Sequence, residues 1–325
     1  MFLIRSDAEV TVHPIIVPTK FSLKSFNFYL VEQANSLTLI DGGIQTEECW
    51  DSFNKALSEN GYNVSDLTKI LLTHNHEDHI GIVNRITALK DVPVYAHKDS
   101  IYRLKRDKEY FALRVEFFKK LYEEMDCGDF GKRQVDRLTK LLSRNEKNIF
   151  QSDIIPIAES DVISGLTVFE TPGHSPDHIV FLEEQRKVLF GGDHLVGHIS
   201  SNAIVEPDRA GRRIQTLSQY IHSLQKCSNL KIDLVYPGHG ELIRNPSELF
   251  SYRIERIHQK SFQMSNCIKE GYTTGNQLAQ VFYKDKYKSE FALVMSEIIG
   301  HLDYLEVNAK VEKVQKNGVW HYNAI

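Results

Sequence analysis

Four short apolar runs, far apart in the chain, each end in a turn that carries histidine or aspartate. Ile70-Leu71-Leu72-Thr73 leads to His74-Asn75-His76-Glu77-Asp78-His79, and Val168-Phe169-Glu170-Thr171 leads to Pro172-Gly173-His174. Val188-Leu189-Phe190 runs into Gly191-Gly192-Asp193-His194, and Leu234-Val235-Tyr236 into Pro237-Gly238-His239-Gly240. Runs of this length read as buried strands. If they are neighbours, their ends meet at one sheet edge, where glycine and proline let the backbone turn tightly enough to aim each side chain at a common point.

The spacing of the first cluster suits two cations. His74 and His76, two apart in extended chain, point to one side and can chelate one ion, while Asp78 and His79 open the following helix and can face a second. Imidazole and carboxylate suit Zn²⁺, and the same atoms accept Fe or Mn. Neighbouring cations need an anionic bridge, and Asp193 is the obvious carboxylate. The remaining bridge would be a hydroxide, because metal binding lowers the pKa of water to about 7. That hydroxide would be the nucleophile, with no serine or cysteine required. Taken singly, each residue could be an ordinary turn histidine, and Asp78 a helix N-cap. Together they form a complete dinuclear donor set.

His74-x-His76-x-Asp78-His79, followed in order by His174, Asp193 and His239, resembles the signature of the metallo-β-lactamase superfamily. The resemblance covers Pro14 to Ile243. It implies an α+β fold, a four-layer αββα sandwich with the site at the edge between two sheets. It also implies that His74, His76 and His174 hold one metal and Asp78, His79 and His239 the other, with Asp193 bridging. Thr171-Pro172-Gly173-His174 and Pro237-Gly238-His239-Gly240 are similar to glyoxalase II-like and lactonase-like branches. The flavodiiron branch carries glutamate where this chain has His76. Asp78 and Asp193 are the expected catalytic residues. His198, in the loop after Asp193, is a candidate general acid or substrate contact. His178 and His194 are expected to hydrogen-bond backbone or orient ligands, and His97 to lie at the surface.

The remaining sequence sets the frame. Strands are expected at Thr11–Val17, Phe26–Glu32 and Leu37–Ile40, with a hairpin loop at Gln33–Ser36, and a helix over Thr46–Asn60 stops at Gly61. A helix-like segment follows from Ile80 to Leu89. Charged residues and helical apolar spacing from Asp99 to Lys147 predict two or three inserted amphipathic helices. Their aromatics Tyr102, Tyr110, Phe111 and Phe118 are expected either to line a substrate pocket capped by the insertion or, the commoner case, to pack the insertion on itself. Further strands fall at Leu166–Glu170, Ile179–Leu182, Lys187–Phe190 and Ile232–Tyr236, and a helix at Gly211–Gln225. Asn245-Pro246 opens a long helix, with Asn245 as N-cap and Pro246 at the first helical position. The tail then reads as helices and a hairpin turned at Asn317-Gly318, a winged-helix-like appendage. The expected division is a catalytic domain over 1–245, with its insertion at about 99–148, and a C-terminal domain over 246–325.

A net charge of −4 lowers the expectation of a dedicated nucleic-acid binder. Four dispersed cysteines suggest buried thiols. The first ten residues lack a signal-like apolar stretch and no segment is long enough to span a bilayer, so a cytoplasmic protein without membrane association is expected. The expected function is a hydrolase with two Zn²⁺ that cleaves a small-molecule thioester, lactone or other ester. An endoribonuclease or phosphodiesterase acting on RNA through the same metals is the less favoured alternative. A non-catalytic metal-stabilised binding module is the third. The tail is expected to serve as a lid or a homodimer contact.

Overall fold

The structure, a computed structural model, describes residues 10–33, 36–144 and 149–325. The N-terminal stretch 1–9, the centre of the expected Gln33–Ser36 loop and the end of the insertion at 145–148 lie outside the described residues. Two six-stranded sheets stack face to face. The first runs in chain order: β1 (Val10–Pro18), β2 (Ser25–Gln33), β3 (Ser36–Ile40), β4 (Leu67–Leu71), β5 (Val94–His97) and β6 (Ile154–Ile157). Its first two pairings are antiparallel, and from β3 to β6 the strands are parallel. The second sheet is ordered β12 (Ile243–Arg244), β11 (Leu234–Pro237), β10 (Val188–Gly192), β9 (Ile179–Glu183), β8 (Leu166–Glu170) and β7 (Val162–Ile163).

Strand alternation builds the layers. In β2, Phe28 and Leu30 face a core shared with Trp50, Phe53 and Leu57 of α1 (Glu47–Glu59) and with Val83 and Ile86 of α3 (Val83–Leu89). Tyr29 and Val31, one residue out of phase, face the second sheet. In β9, Ile179 and Phe181 meet them between the sheets. Val180 and Leu182 turn outward to Tyr220 and Leu224 of α7 (Thr216–Ser228) and to Phe250 and Ile257 of α8 (Ser247–Lys269). The order is helix, sheet, sheet, helix, the four-layer sandwich expected. α1 starts where Thr46 accepts from the Cys49 amide at 3.3 Å.

The insertion is three helices, α4 (Lys98–Leu104), α5 (Lys108–Glu124) and α6 (Gly128–Arg144). It does not pack only on itself. Phe118, Leu121 and Tyr122 share a core with α8, with α9 (Gly275–Ser289) and α10 (Phe291–Val307), and with the hairpin β13 (Val311–Lys316) and β14 (Val319–Ala324). That hairpin turns at Asn317 and Gly318, with φ of 51° and 84°, as a type I′ turn requires.

Several local expectations fail for physical reasons. The segment 211–215 is not helical; Arg213 bridges Pro207, and α7 begins at Thr216. Asn245 is not a cap: its φ is 51° and its amide is spent on the Asp233 carbonyl at 2.9 Å, so Pro246 precedes the helix and Ser247 starts it. The Ile80–Leu89 segment is split into α2 (Glu77–Ile80) and α3, separated at Gly81 and Ile82. The four cysteines are free, Cys49, Cys127 and Cys227 buried and Cys267 half-buried. Among the described residues, no helix is long and apolar enough to cross a membrane.

Phe181 has no solvent exposure and fills the space between the sheets. Phe181→Ala should destabilise the protein by about 3–5 kcal/mol in denaturant unfolding. A loss below about 1 kcal/mol would mean that the sheets do not meet there.

Candidate metal centre

Strand direction explains why the ligands converge. β3 and β4 are parallel, so Asp41 and the His74–His79 turn leave the first sheet on the same side. β8 and β10 both pair antiparallel with β9, and β11 runs parallel to β10. His174, Asp193 and His239 therefore follow the carboxyl ends of three strands pointing one way, the edge where open sheets build their sites. The two edges are joined directly. Ile179 N donates to the Thr73 carbonyl at 2.9 Å, and Asn27 N to the Gly238 carbonyl at 2.8 Å. The Asn27 amide also donates to the Pro237 and Gly240 carbonyls, and the Tyr29 hydroxyl to the Pro237 carbonyl.

All seven expected ligands meet there, in three overlapping groups whose ligand atoms lie within 4.8 Å of one another: His74/His76/His174, His74/His79/Asp193 and Asp78/His79/His239. His76 Nδ1 is 2.9 Å from His74 Nε2 and 3.0 Å from His174 Nε2. The Asp193 carboxylate stands between the sets, Oδ1 at 3.2 Å from both His79 Nε2 and His239 Nε2, and Oδ2 at 3.3 Å from His174 Nε2. Asp78 Oδ2 lies 3.5 Å from His239 Nε2.

The outward ring nitrogens are already committed. His79 Nδ1 donates to Asp41 at 2.8 Å, His174 Nδ1 to the Asn202 carbonyl at 2.9 Å and His239 Nδ1 to the Ser25 carbonyl at 2.8 Å. His74 Nδ1 donates to the Thr73 hydroxyl at 3.0 Å, which passes its own proton to Asp41. These bonds fix tautomer and ring angle, and they leave each Nε2 lone pair facing inward. His79 Nε2, His239 Nε2 and Asp193 Oδ1 are buried without an aligned hydrogen-bond partner. Buried polar atoms rarely stay unpaired, and a cation among them would satisfy all three. The donor set fits metal.

The electrostatics agree. Burial, reinforced by neighbouring imidazoles, pushes His74 well below its ordinary pKa, and burial also lowers His76 and takes His174 to about 4. All three are neutral, the form that binds metal. Burial would lower His79 and His239 too, but the Asp193 carboxylate, joined by Asp41 at His79, more than offsets it and raises both. Asp193 itself is held well below the carboxylate range, its burial outweighed by His239 and His79.

Glycines make room for this contact. Gly192 has φ of 46°, and a side chain there would strike Thr73 and His178. A Cβ on Gly238 would sit 2.6 Å from both Asp193 Oδ1 and His79 Cε1.

Other expected residues divide. His178 accepts the Asp193 amide at 3.1 Å and meets the Thr171 hydroxyl at 2.8 Å, so it orients Asp193. His194 packs its ring against Tyr220 and Phe250. His198 is not brought to the ligand atoms; its Nε2 meets the Ser22 carbonyl at 2.9 Å. Asp78 is not an N-cap, since His76 holds that position. His97 is buried rather than superficial, pairing with Glu170 at 3.1 Å and capping α4. Sequence reasoning missed Asp41, whose φ of 59° turns it under the cluster. An acid at the end of a strand, ahead of two glycines, was the available signal.

A cavity of about 500 Å³ opens from the candidate ligands His76, Asp78, His174, Asp193 and His239. Its far wall comes from the C-terminal helices, with Ile257 and Lys260 of α8, Tyr283 and Lys286 of α9, and Leu293, Val294 and Glu297 of α10; Val196, Ile199, Leu217 and Tyr220 also line it, beside the polar Ser200, Ser201 and Asn202.

A family model described as "Metallo-beta-lactamase superfamily" matches residues 25–239. "Probable metallo-hydrolase YqjP" of Bacillus subtilis is 31% identical over 301 residues, 91% of this chain and 92% of its own length. "Atrochrysone carboxyl ACP thioesterase" of Aspergillus fumigatus is 24% identical over 264 residues, 80% of this chain and 66% of that protein. The crystal structure of a metallo-beta-lactamase family protein from Thermus thermophilus, TTHA1429, superposes with a TM-score of 0.79 at 24% identity, covering 97% of this chain and 98% of that one, a likeness of fold.

Asp41→Asn should weaken metal retention by about 10–100-fold in a chelator competition while the fold persists by circular dichroism. Unchanged retention would remove Asp41 from the site. Gly238→Ala, by crowding Asp193 and His79, should lower the metal content per chain without unfolding the sheets.

Proposed function

This chain belongs to the metallo-beta-lactamase superfamily, and from that premise we propose that it is a two-metal hydrolase of a thioester, lactone or other carboxylic ester. His74, His76 and His174 would hold one cation and Asp78, His79 and His239 the other, with Asp193 shared. Zinc is the first choice for this donor set, and iron or manganese would fit the same atoms. Once bound, such cations supply Lewis acidity toward a carbonyl oxygen and a water made nucleophilic near neutral pH.

The observation that carries the ester reading is the cavity. Five ligand side chains share its wall with Val196, Ile199, Leu217, Ile257, Leu293 and Val294, an apolar lining suited to an acyl group and to exclusion of bulk water. A relative 24% identical over 80% of the chain is named a thioesterase, which supports the same class. The RNA alternative calls for a long basic groove, whereas this cavity is lined by two lysines, Lys260 and Lys286, against Glu290 and Glu297, with Lys260 paired to Glu297. The protein's own residues set the geometry. Asp41, Thr73 and the Asn202 and Ser25 carbonyls orient four imidazoles, His178 orients Asp193, and Asn27 and Tyr29 clamp the turn bearing His239.

Metal-loaded protein should hydrolyse members of a panel of acyl thioesters and lactones, with chelation abolishing turnover and added metal restoring it. Asp193→Ala should lower kcat/KM by at least about 10²–10³-fold, the scale at which a transition-state electrostatic contact is lost. Cleavage of RNA or phosphodiesters alone, or activity indifferent to Asp193→Ala, would overturn the ester reading.

A further inference from the structure

The ligand edge opens in a second direction. His76 and His174 line the apolar cavity and also a smaller one of about 210 Å³ beside the inserted helices. Three guanidinium groups, Arg103, Arg106 and Arg114, stand in its wall against two carboxylates, Glu77 and Glu206. Glu206 is committed mainly to Arg114, whose Nε reaches its two oxygens at 3.0 and 2.7 Å, and Arg103 is left at 3.5 Å. Glu77 pairs with Arg106 at 2.8 Å. Arg103 is only 6% exposed and lies over the Tyr102 and Tyr110 rings, and among the described residues its Nε and Nη2 have no hydrogen-bond partner. The nearby Asp177 is occupied by Asn75 and Ser100. Leaving donors of a buried cation unmade is costly, and a carboxylate or phosphate is the group whose oxygens match a guanidinium fork.

We propose that this smaller cavity is a subsite for an anionic group of the substrate, a carboxylate or a phosphate, held by Arg103 and Arg106. Both cavities meet at His76 and His174. The substrate is then an ester or thioester with an apolar arm in the large cavity, a negatively charged arm in the small one, and its scissile carbonyl between them. The inference rests on the hydrolase reading above and adds charge selectivity to it.

The test uses metal-loaded and chelator-treated protein titrated calorimetrically with inorganic phosphate and with glutarate. Alongside it, turnover is compared for two thioesters that differ by a terminal carboxylate in place of a methyl group. The variants are Arg103→Met and Arg106→Gly. Arg106 has φ of 54°, a conformation that glycine adopts more easily, so its replacement removes the cation without straining the fold. At least one anion should bind both forms of the parent, and at least tenfold more weakly to each variant; which anion it is separates carboxylate from phosphate. The preference for the carboxylated thioester should fall about tenfold, chiefly through KM. Anion binding that vanishes on chelation and ignores both arginines would overturn the subsite, as would an unaltered thioester preference. Arg-dependent anion binding without any ester turnover would instead sink the hydrolase reading and leave the anion site standing.

Discussion

The Asp193 carboxylate, buried among the rings of His79, His174 and His239, is the charge around which this edge of the molecule is arranged. A lone carboxylate in that position would carry a desolvation penalty of several kcal/mol. The surroundings offset it with imidazoles aimed at both of its oxygens, while the His178 ring accepts the backbone amide of Asp193 and holds the residue in place. Bare Gly192 and Gly238 allow the approach that this requires. The same carboxylate raises the pKa of both His79 and His239 against their burial, and cations would supply the compensating charge.

The sandwich makes such crowding sustainable. Strands of both sheets deliver their turns to one side, and bonds from Asn27, Tyr29 and Ile179 fasten the two edges to each other. The ligands therefore ride on strand ends anchored by a common core. The helices face them from outside: the inserted helices and the C-terminal helices share a core of their own and form walls of two cavities that meet at His76 and His174.

Much of this was legible in the residues. That the seven candidate ligands would meet could be read because each follows an apolar run, and residue type and order mark them as a donor set. The inserted helices showed their period, and Asn317-Gly318 specified its hairpin. What escaped was whatever depends on contacts between distant segments. Asp41 is one acid among 43, and only the approach of β4 to β3 puts it beneath His79. His97 looked superficial because nothing local reveals that Glu170 will sit opposite. β5 and β6 are only four residues long, β6 is broken by Pro156, and their parallel partners lie far away in sequence. Asn245 carried a convincing cap signal that a tertiary bond to Asp233 overrode. The C-terminal helices gave no sign that α8, α9 and α10 would wall the ligand cavity.

Anomalous diffraction from metal-loaded crystals tests the central claim most directly. The account predicts two peaks per chain, one within reach of His74, His76 and His174 and one within reach of Asp78, His79 and His239, with the Asp193 carboxylate touching both. A loaded crystal with no peak at this edge, or with metal bound only elsewhere on the chain, would contradict it.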